Sequence, residues 1–483
     1  MKKRIITVAA LLAAFVLLMS GCDYKMLTPD QLMRPPRYYG ENAELQAAFS
    51  DAAPDAVLKA PYEGEYHSAF ILQDLDGDGT EEALIFYVNS MDRNICRMML
   101  FRQDQGSWIH CATVRGEGND VVSVTIADMD ADGVQEIIVG WGISGSQERV
   151  LSVYRYTPGG TGDLRSLASE TYRMMACLDL DGDNEKELFI VSATAAATVE
   201  TGETSRFRAR LLKLQEALQP DGTQESSITA VSELALPAAA ADCTRITFQP
   251  VVDGNSPAVL LDCTMMDTGM FTDIITWTDG KLTRVMPSET ENPLRYTYRT
   301  SSITCQDINS DGYVEIPTQI VLDGGVNTSA AVVNSQAYSG TSDSSTGTAV
   351  DDQVYLTVWN KLSGGRLVTV RNSIINLNDS YMFFFKDDWT SGNFPTMTNN
   401  VTVHTNIESR TCSFYDYDYS TKVRGALVFE IIVHPSGTDI SMTDEQLLTE
   451  DGGLMYTVRM GSAAKSRQIT YDDVVNGFVL LDS

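Results

Sequence analysis

The chain repeats one nine-residue acidic signature four times, and the oxygens of those repeats are its most evident chemistry. The first copy is Asp74-Leu75-Asp76-Gly77-Asp78-Gly79-Thr80-Glu81-Glu82, and the second is Asp128-Met129-Asp130-Ala131-Asp132-Gly133-Val134-Gln135-Glu136. Asp179-Leu180-Asp181-Gly182-Asp183-Asn184-Glu185-Lys186-Glu187 is the third, and Asp307-Ile308-Asn309-Ser310-Asp311-Gly312-Tyr313-Val314-Glu315 the fourth. Acidic or amide side chains at positions 1, 3 and 5 of a tightly curled loop converge on one point. Position 7 can add a backbone carbonyl, from Thr80, Val134, Glu185 or Tyr313. Position 9 can close the shell with Glu82, Glu136, Glu187 or Glu315. Six to eight hard oxygens of this kind suit Ca2+. Position 6 must turn with φ > 0, which Gly does freely and Asn next best. The expectation is about four structural Ca2+ ions, since the carboxylates of an empty loop repel one another.

The elements that must hold these loops are strands. Apolar or β-branched runs flank the signatures: Ala69–Leu72 and Ala83–Val88 around the first, Val121–Ile126 and Ile137–Trp141 around the second, with Leu188–Val191 after the third. Further strand-like runs, Cys96–Phe101, Trp108–Val114 and Val150–Tyr156, fit before the next copy. Successive signatures start 54 and then 51 residues apart, and a worn copy, Val252-Asp253-Gly254-Asn255-Ser256-Pro257, falls in the longer third interval. Pro257 replaces the closing Glu there, so that unit is expected to hold no metal. A period near 50 residues with four strands per unit predicts a mainly β fold, a β-propeller of about five blades (five to seven). The propeller is expected over residues 66–375, with an exposed insertion at about 327–352, followed by a small α+β domain over 376–483 or, alternatively, a further blade and a tail. Ile469–Asp473 reads as the start of a helix in that last segment, while Asn42 opens a short helix whose apolar Leu45, Ala48 and Phe49 share one face.

Spacing and β context together resemble the FG-GAP/VCBS repeat family, typified by the integrin α-subunit propeller. An EF-hand would need a Glu at position 12 and flanking helices. The resemblance covers about 66–320 and implies one Ca2+ per intact loop, held between neighbouring strands of a blade. The whole chain looks like the VCBS-repeat lipoproteins of Gram-positive bacteria.

That last likeness rests on the N-terminus. Lys2-Lys3-Arg4 precedes an apolar run, Ile5–Met19, too short to span comfortably and typical of a signal peptide. It ends Leu18-Met19-Ser20-Gly21-Cys22, where small residues before a Cys resemble a lipobox, with Met19 at the third position before Cys22 in place of the usual Leu. The resemblance implies cleavage after residue 21, diacylglycerol on Cys22, a tether over 22–65, and a membrane partner reached through the lipid on the extracytoplasmic face.

Composition narrows the function. A formal charge of −30 repels phosphate backbones, so no nucleic-acid partner is expected. Seven cysteines remain beside Cys22, an odd number that argues against a complete disulfide framework. Cys243 and Cys263 lie symmetrically about Asp253, and Cys96 and Cys111 flank another hairpin; each pair could face across strands or consist of buried small hydrophobes. The four histidines, 67, 110, 404 and 434, form no HExxH, and Ser462–Lys465 matches SxxK without a following KTG. Phe414–Tyr419 alternates Tyr with Asp, giving either a sugar- or peptide-binding strip or a half-buried edge strand. The expectation is a non-enzymatic binding, adhesion or scaffold module with a protein or polysaccharide ligand. The alternatives are a carboxylate-based enzyme acting on polysaccharide and a cell-envelope assembly or sensing subunit.

Overall fold

The computed structural model describes residues 41–158, 164–198, 204–218, 224–250, 257–266, 269–285, 294–328, 353–386 and 400–481. Cys22, the worn segment 252–256 and most of the 327–352 insertion lie outside the described residues.

Four antiparallel sheets follow one another, each running up and down in chain order. The first has Phe70–Gln73, Glu82–Asn89, Asp92–Asp104 and Ser107–Arg115, with Ala56–Leu58 added beside Glu82–Asn89. The second has Asp120–Ala127, Glu136–Gly142, Arg149–Tyr156 and Leu164–Tyr172. The third has Met174–Leu178, Glu187–Thr198, Thr204–Leu218 and Gln224–Ala235. The fourth has Ala240–Gln249, Ala258–Met265, Met270–Thr278 and Lys281–Arg284.

The second strand of each sheet is covered on both faces, which explains why it reads as an unbroken apolar run such as Ala83–Val88 and not as an alternation. Leu84, Phe86 and Met98 of the first sheet pack with Ile137, Val139 and Trp141 of the second. Ile138 and Val153 turn the other way, onto Leu188, Ile190 and Leu212 of the third. Phe189, Val191 and Phe207 meet Val259, Leu261 and Phe271 of the fourth. Helix Glu41–Ala52 covers the outer face of the first sheet with Leu45 and Phe49. Face-to-face stacking of successive four-stranded sheets is a propeller-like arrangement.

The C-terminal third departs from the expected small α+β domain. A fifth sheet joins Ile316–Val321, Tyr355–Ser363 and Arg366–Asn376 to Tyr381–Phe384 and Phe478–Leu480, so the boundary read at 375/376 falls inside a sheet. A sixth sheet, in the order Val326–Thr328, Val401–Asn406, Thr411–Asp418, Val423–Pro435, Leu454–Met460, Glu445–Asp451, packs on it. Phe383, Phe414 and Phe429 fill the space between, with Phe414 and Phe429 stacked at 4.2 Å. Among the described residues the helix in this region with a full cap is Tyr471–Gly477, where Thr470 and Asp473 close a capping box. The Tyr/Asp run is neither an exposed strip nor an edge: Thr411–Asp418 lies inside the sixth sheet, and bulges at Tyr415 break its alternation. No helix of the described residues is long and apolar enough to cross a membrane.

Candidate functional site

The first three acidic loops each join the first and second strands of a sheet, and the fourth leads into Ile316–Val321 behind a single Gln306–Glu315 bridge. All four are tied by the same hydrogen bonds. The position-1 carboxylate accepts from the position-6 N–H: Gly79 to Asp74 at 2.9 Å, Gly133 to Asp128 at 3.0 Å, Asn184 to Asp179 at 3.1 Å and Gly312 to Asp307 at 3.0 Å. The position-5 carboxylates of Asp78, Asp132, Asp183 and Asp311 accept from the N–H of Thr80, Val134, Glu185 and Tyr313. Oε2 of each closing Glu accepts the position-2 N–H, at 2.9 Å for Glu82 and Glu136, 2.8 Å for Glu187 and 3.0 Å for Glu315. Position 6 has φ between 71° at Asn184 and 92° at Gly133.

Position 4 is left-handed as well, at Gly77, Ala131, Gly182 and Ser310, a requirement the sequence concealed because Ala131 and Ser310 carry a Cβ there.

Ligand atoms of Asp74, Asp76 and Asp78 gather within 4.8 Å of one another, as do those of Asp128, Asp130 and Glu136, and all four of Asp179, Asp181, Asp183 and Glu187. Asp307, Asp311 and Glu315 are not among the groups so gathered in the described residues, and Asn309 takes up Asp311 through its own amide at 3.0 Å. Burial and the neighbouring Asp76, Asp78 and Asp74 push Glu82 up to about 7, against the Leu75 N–H. Burial likewise raises Glu136, Glu187 and Glu315. Asp307 moves the opposite way: burial opposes its charge, but the N–H groups of the loop prevail and lower it.

A fifth component was missed by reading the sequence. Opposite each closing Glu, on the strand that pairs with the run after it, stands a basic residue. Glu136 pairs in register with Arg155. One register step beyond the Leu188–Leu212, Ala83–Phe101 and Ile316–Asn360 pairs, Lys213 faces Glu187, Arg102 faces Glu82 and Lys361 faces Glu315. The available signal was a lone cation inside an apolar strand, as in Tyr154-Arg155-Tyr156 and Leu212-Lys213-Leu214. Arg155 reaches Glu136 at 2.5 Å, Asp130 at 2.6 Å and Asp132 at 3.3 Å. Lys213 reaches Asp181 and Asp183 at 2.7 Å and Glu187 at 3.1 Å. Arg102 instead approaches Asp104 at 3.9 Å, and Lys361 lies over the Tyr313 ring at 4.6 Å.

The opposite ends of the first strands border a cleft of about 810 Å³. Asp120 opens into it and Asp128 begins the loop at the far end of the same strand, about 25 Å away for eight extended residues. Tyr62, Arg149, Tyr172, Arg173 and Arg245 line the cleft. Its three carboxylates are each paired: Glu63 in a two-pronged bond with Arg149 at 2.6 Å, Asp242 with Arg173 at 3.0 Å, and Asp120 with Lys59 at 3.2 Å. Tyr62 is exposed. Cys243 also lines the cleft and stands directly opposite Cys263, with their sulfurs 3.5 Å apart as free thiols. Cys96 and Cys111 do not face each other, because Cys96 lies across from Gly116 and Cys111 sits at a bulge.

No family model matches the sequence, and no curated protein matches it. Among solved structures, the β-propeller domain of the trilobed protease from Pyrococcus furiosus aligns at 12% identity over 75% of this chain and 95% of its own, with a TM-score of 0.25. A rhamnogalacturonan lyase from Bacillus licheniformis aligns at 11% identity over 84% of this chain and 91% of its own, with a TM-score of 0.26. The exotype rhamnogalacturonan lyase YesX gives 10% identity, 83% and 90% coverage and a TM-score of 0.27. Superpositions this loose transfer neither activity nor ligand to the chain.

Proposed function

We propose that the protein is a binding module of the FG-GAP/VCBS kind, held at the extracytoplasmic face of a membrane by a lipid on Cys22. Its stacked sheets act as propeller blades, and Ca2+ in acidic loops stiffens them. The cleft at the other end of the first strands receives the ligand. The observation that carries this reading is the state of the cleft's carboxylates: Glu63, Asp120 and Asp242 each already hold a cation. A carboxylate locked in an ion pair can orient a polar ligand, whereas a general acid or nucleophile for glycoside chemistry needs two acids facing the reacting bond. An exposed Tyr62 beside Asn119, Ser144 and Gln147 offers a ring face and hydrogen-bonding groups to a hydroxyl-rich ligand. Of a protein and a polysaccharide ligand, these groups favour the polysaccharide.

Affinity electrophoresis of the purified chain through gels containing soluble polysaccharides tests this directly. Retardation by at least one polysaccharide, lost in Tyr62→Ala and in Arg149→Met, is expected. Equal retardation of wild type and both variants would place the binding elsewhere. Product release from the same polysaccharides would replace the binding reading with an enzymatic one. Cys22→Ser should move the protein from membranes to the soluble fraction.

A further inference from the structure

The four loops share one backbone knot but differ in what sits among their carboxylates. In the loop 128–136, backbone N–H groups hold both oxygens of Asp128, Oδ1 of Asp132 and Oε2 of Glu136. Arg155 then takes Oε1 of Glu136, Oδ2 of Asp130 and Oδ2 of Asp132, the oxygens left to face inward. In the loop 179–187, Lys213 takes the corresponding oxygens of Asp181, Asp183 and Glu187. Both cations come from the third strand of the same sheet, in register with the closing Glu, so the backbone fixes their place. Arg155 and Lys213 side chains are largely buried, which strengthens their hold on these acids.

The other two loops have the cation opposite but not inside. Among the described residues no Lys or Arg ion-pairs with Asp74, Asp76, Asp78 or Glu82, and Arg102 turns to Asp104. In the loop 307–315, Lys361 is drawn onto Tyr313, and the fully buried Glu315 keeps Oε1 without a hydrogen-bond partner. Asp130 Oδ1 and Glu187 Oε1 in the loops 128–136 and 179–187 also lack a hydrogen-bond partner, so the difference between the loops lies in the ion pairs: Arg155 and Lys213 each stand among three acids, and among the described residues no Lys or Arg does so in the loops 74–82 and 307–315.

We infer that Arg155 and Lys213 are built-in occupants that take the place of the divalent ion, so that only the loops 74–82 and 307–315 bind Ca2+. This rests on the calcium reading above and departs from the pattern of one ion per intact loop. A Ca2+ ion entering either occupied loop must displace a guanidinium or ammonium group from three carboxylates. One entering either of the other loops displaces none. The division also explains why four acidic loops persist in the fold without four metals: two neutralise themselves and hold their sheets together at any calcium concentration.

The test is the calcium stoichiometry of the mature-length chain, measured by equilibrium dialysis against 45Ca2+ after chelator treatment, for wild type, Arg155→Met and Lys213→Met. Two ions are expected for wild type and three for each variant. Four ions in wild type, unchanged in the variants, would overturn the inference while leaving the calcium reading intact. No bound ion in any of the three proteins would overturn the calcium reading itself. If a variant fails to fold, the wild-type count alone separates two from four.

Discussion

Glu82 gives the sharpest quantitative handle on the loops. It is almost wholly buried, it faces three aspartates, and its carboxyl is pushed from the ordinary 4.5 up to about 7 in the metal-free protein. A folded pKa above the unfolded one means that folding favours the protonated form. The associated stability is fully present below about pH 4.5 and is lost as pH rises through about 7. The displacement corresponds to about 3 kcal/mol of differential interaction. Glu82→Gln removes the charge yet keeps an oxygen for the Leu75 N–H. In the presence of chelator at pH 8, the variant is therefore expected to be more stable than wild type by up to about 3 kcal/mol, and near pH 4.5 the two should converge. Saturating Ca2+ should reverse the order at pH 8, because a bound divalent ion favours the ionised carboxylate and binds a neutral amide less well. Urea denaturation followed by circular dichroism at both pH values, with and without Ca2+, reads all four conditions. Equal stabilities of wild type and variant at pH 8 in chelator would refute the reasoning, since no electrostatic penalty would then exist for the metal to relieve.

Three further outcomes follow from packing. Phe49→Ala, which strips the first sheet's helical cover from Phe70 and Tyr87, should cost about 3 kcal/mol in the same denaturation assay; a change under about 0.5 kcal/mol would mean the helix does not cap the sheet in solution. Asp262 and Arg299 form a wholly buried ion pair at 2.7 Å, so Arg299→Met should cost about 3–5 kcal/mol by leaving Asp262 unpaired, and adding Asp262→Asn should recover part of that loss. The hydrogen bond shared with Cys243 and burial both raise Cys263 well above the ordinary thiol range, so iodoacetamide at pH 8 should label it only after denaturation; prompt labelling of the native protein would contradict the buried pair.

What the sequence disclosed is what local chemistry dictates. Acidic side chains on alternate positions, Gly or Asn at the left-handed turn and an apolar run after the closing Glu are neighbours in the chain, so the loops and the strands that follow them could be read directly. Arg155 and Lys213 could not, because they meet their acids through strand register and lie 19 and 26 residues beyond Glu136 and Glu187. The closure of the fifth sheet was obscured for the same reason: Tyr381–Phe384 pairs with Phe478–Leu480, nearly a hundred residues later, and no local pattern announces that pairing. The Tyr/Asp alternation from Phe414 to Tyr419 suggested a one-sided strand, but the sixth sheet buries Phe414 and Tyr417 and interrupts the alternation with bulges. The cleft was equally invisible, since Tyr62, Arg149, Arg173 and Asp242 converge from separate sheets and the segment before the first.

The central claim is that recurring acidic loops of this chain bind a divalent ion through oxygen atoms. Long-wavelength anomalous diffraction from crystals grown with Ca2+ tests it at the atoms themselves. Anomalous peaks ringed by six to eight oxygens at about 2.3–2.6 Å should stand in the loops 74–82 and 307–315. Loops containing only water at saturating Ca2+ would contradict it.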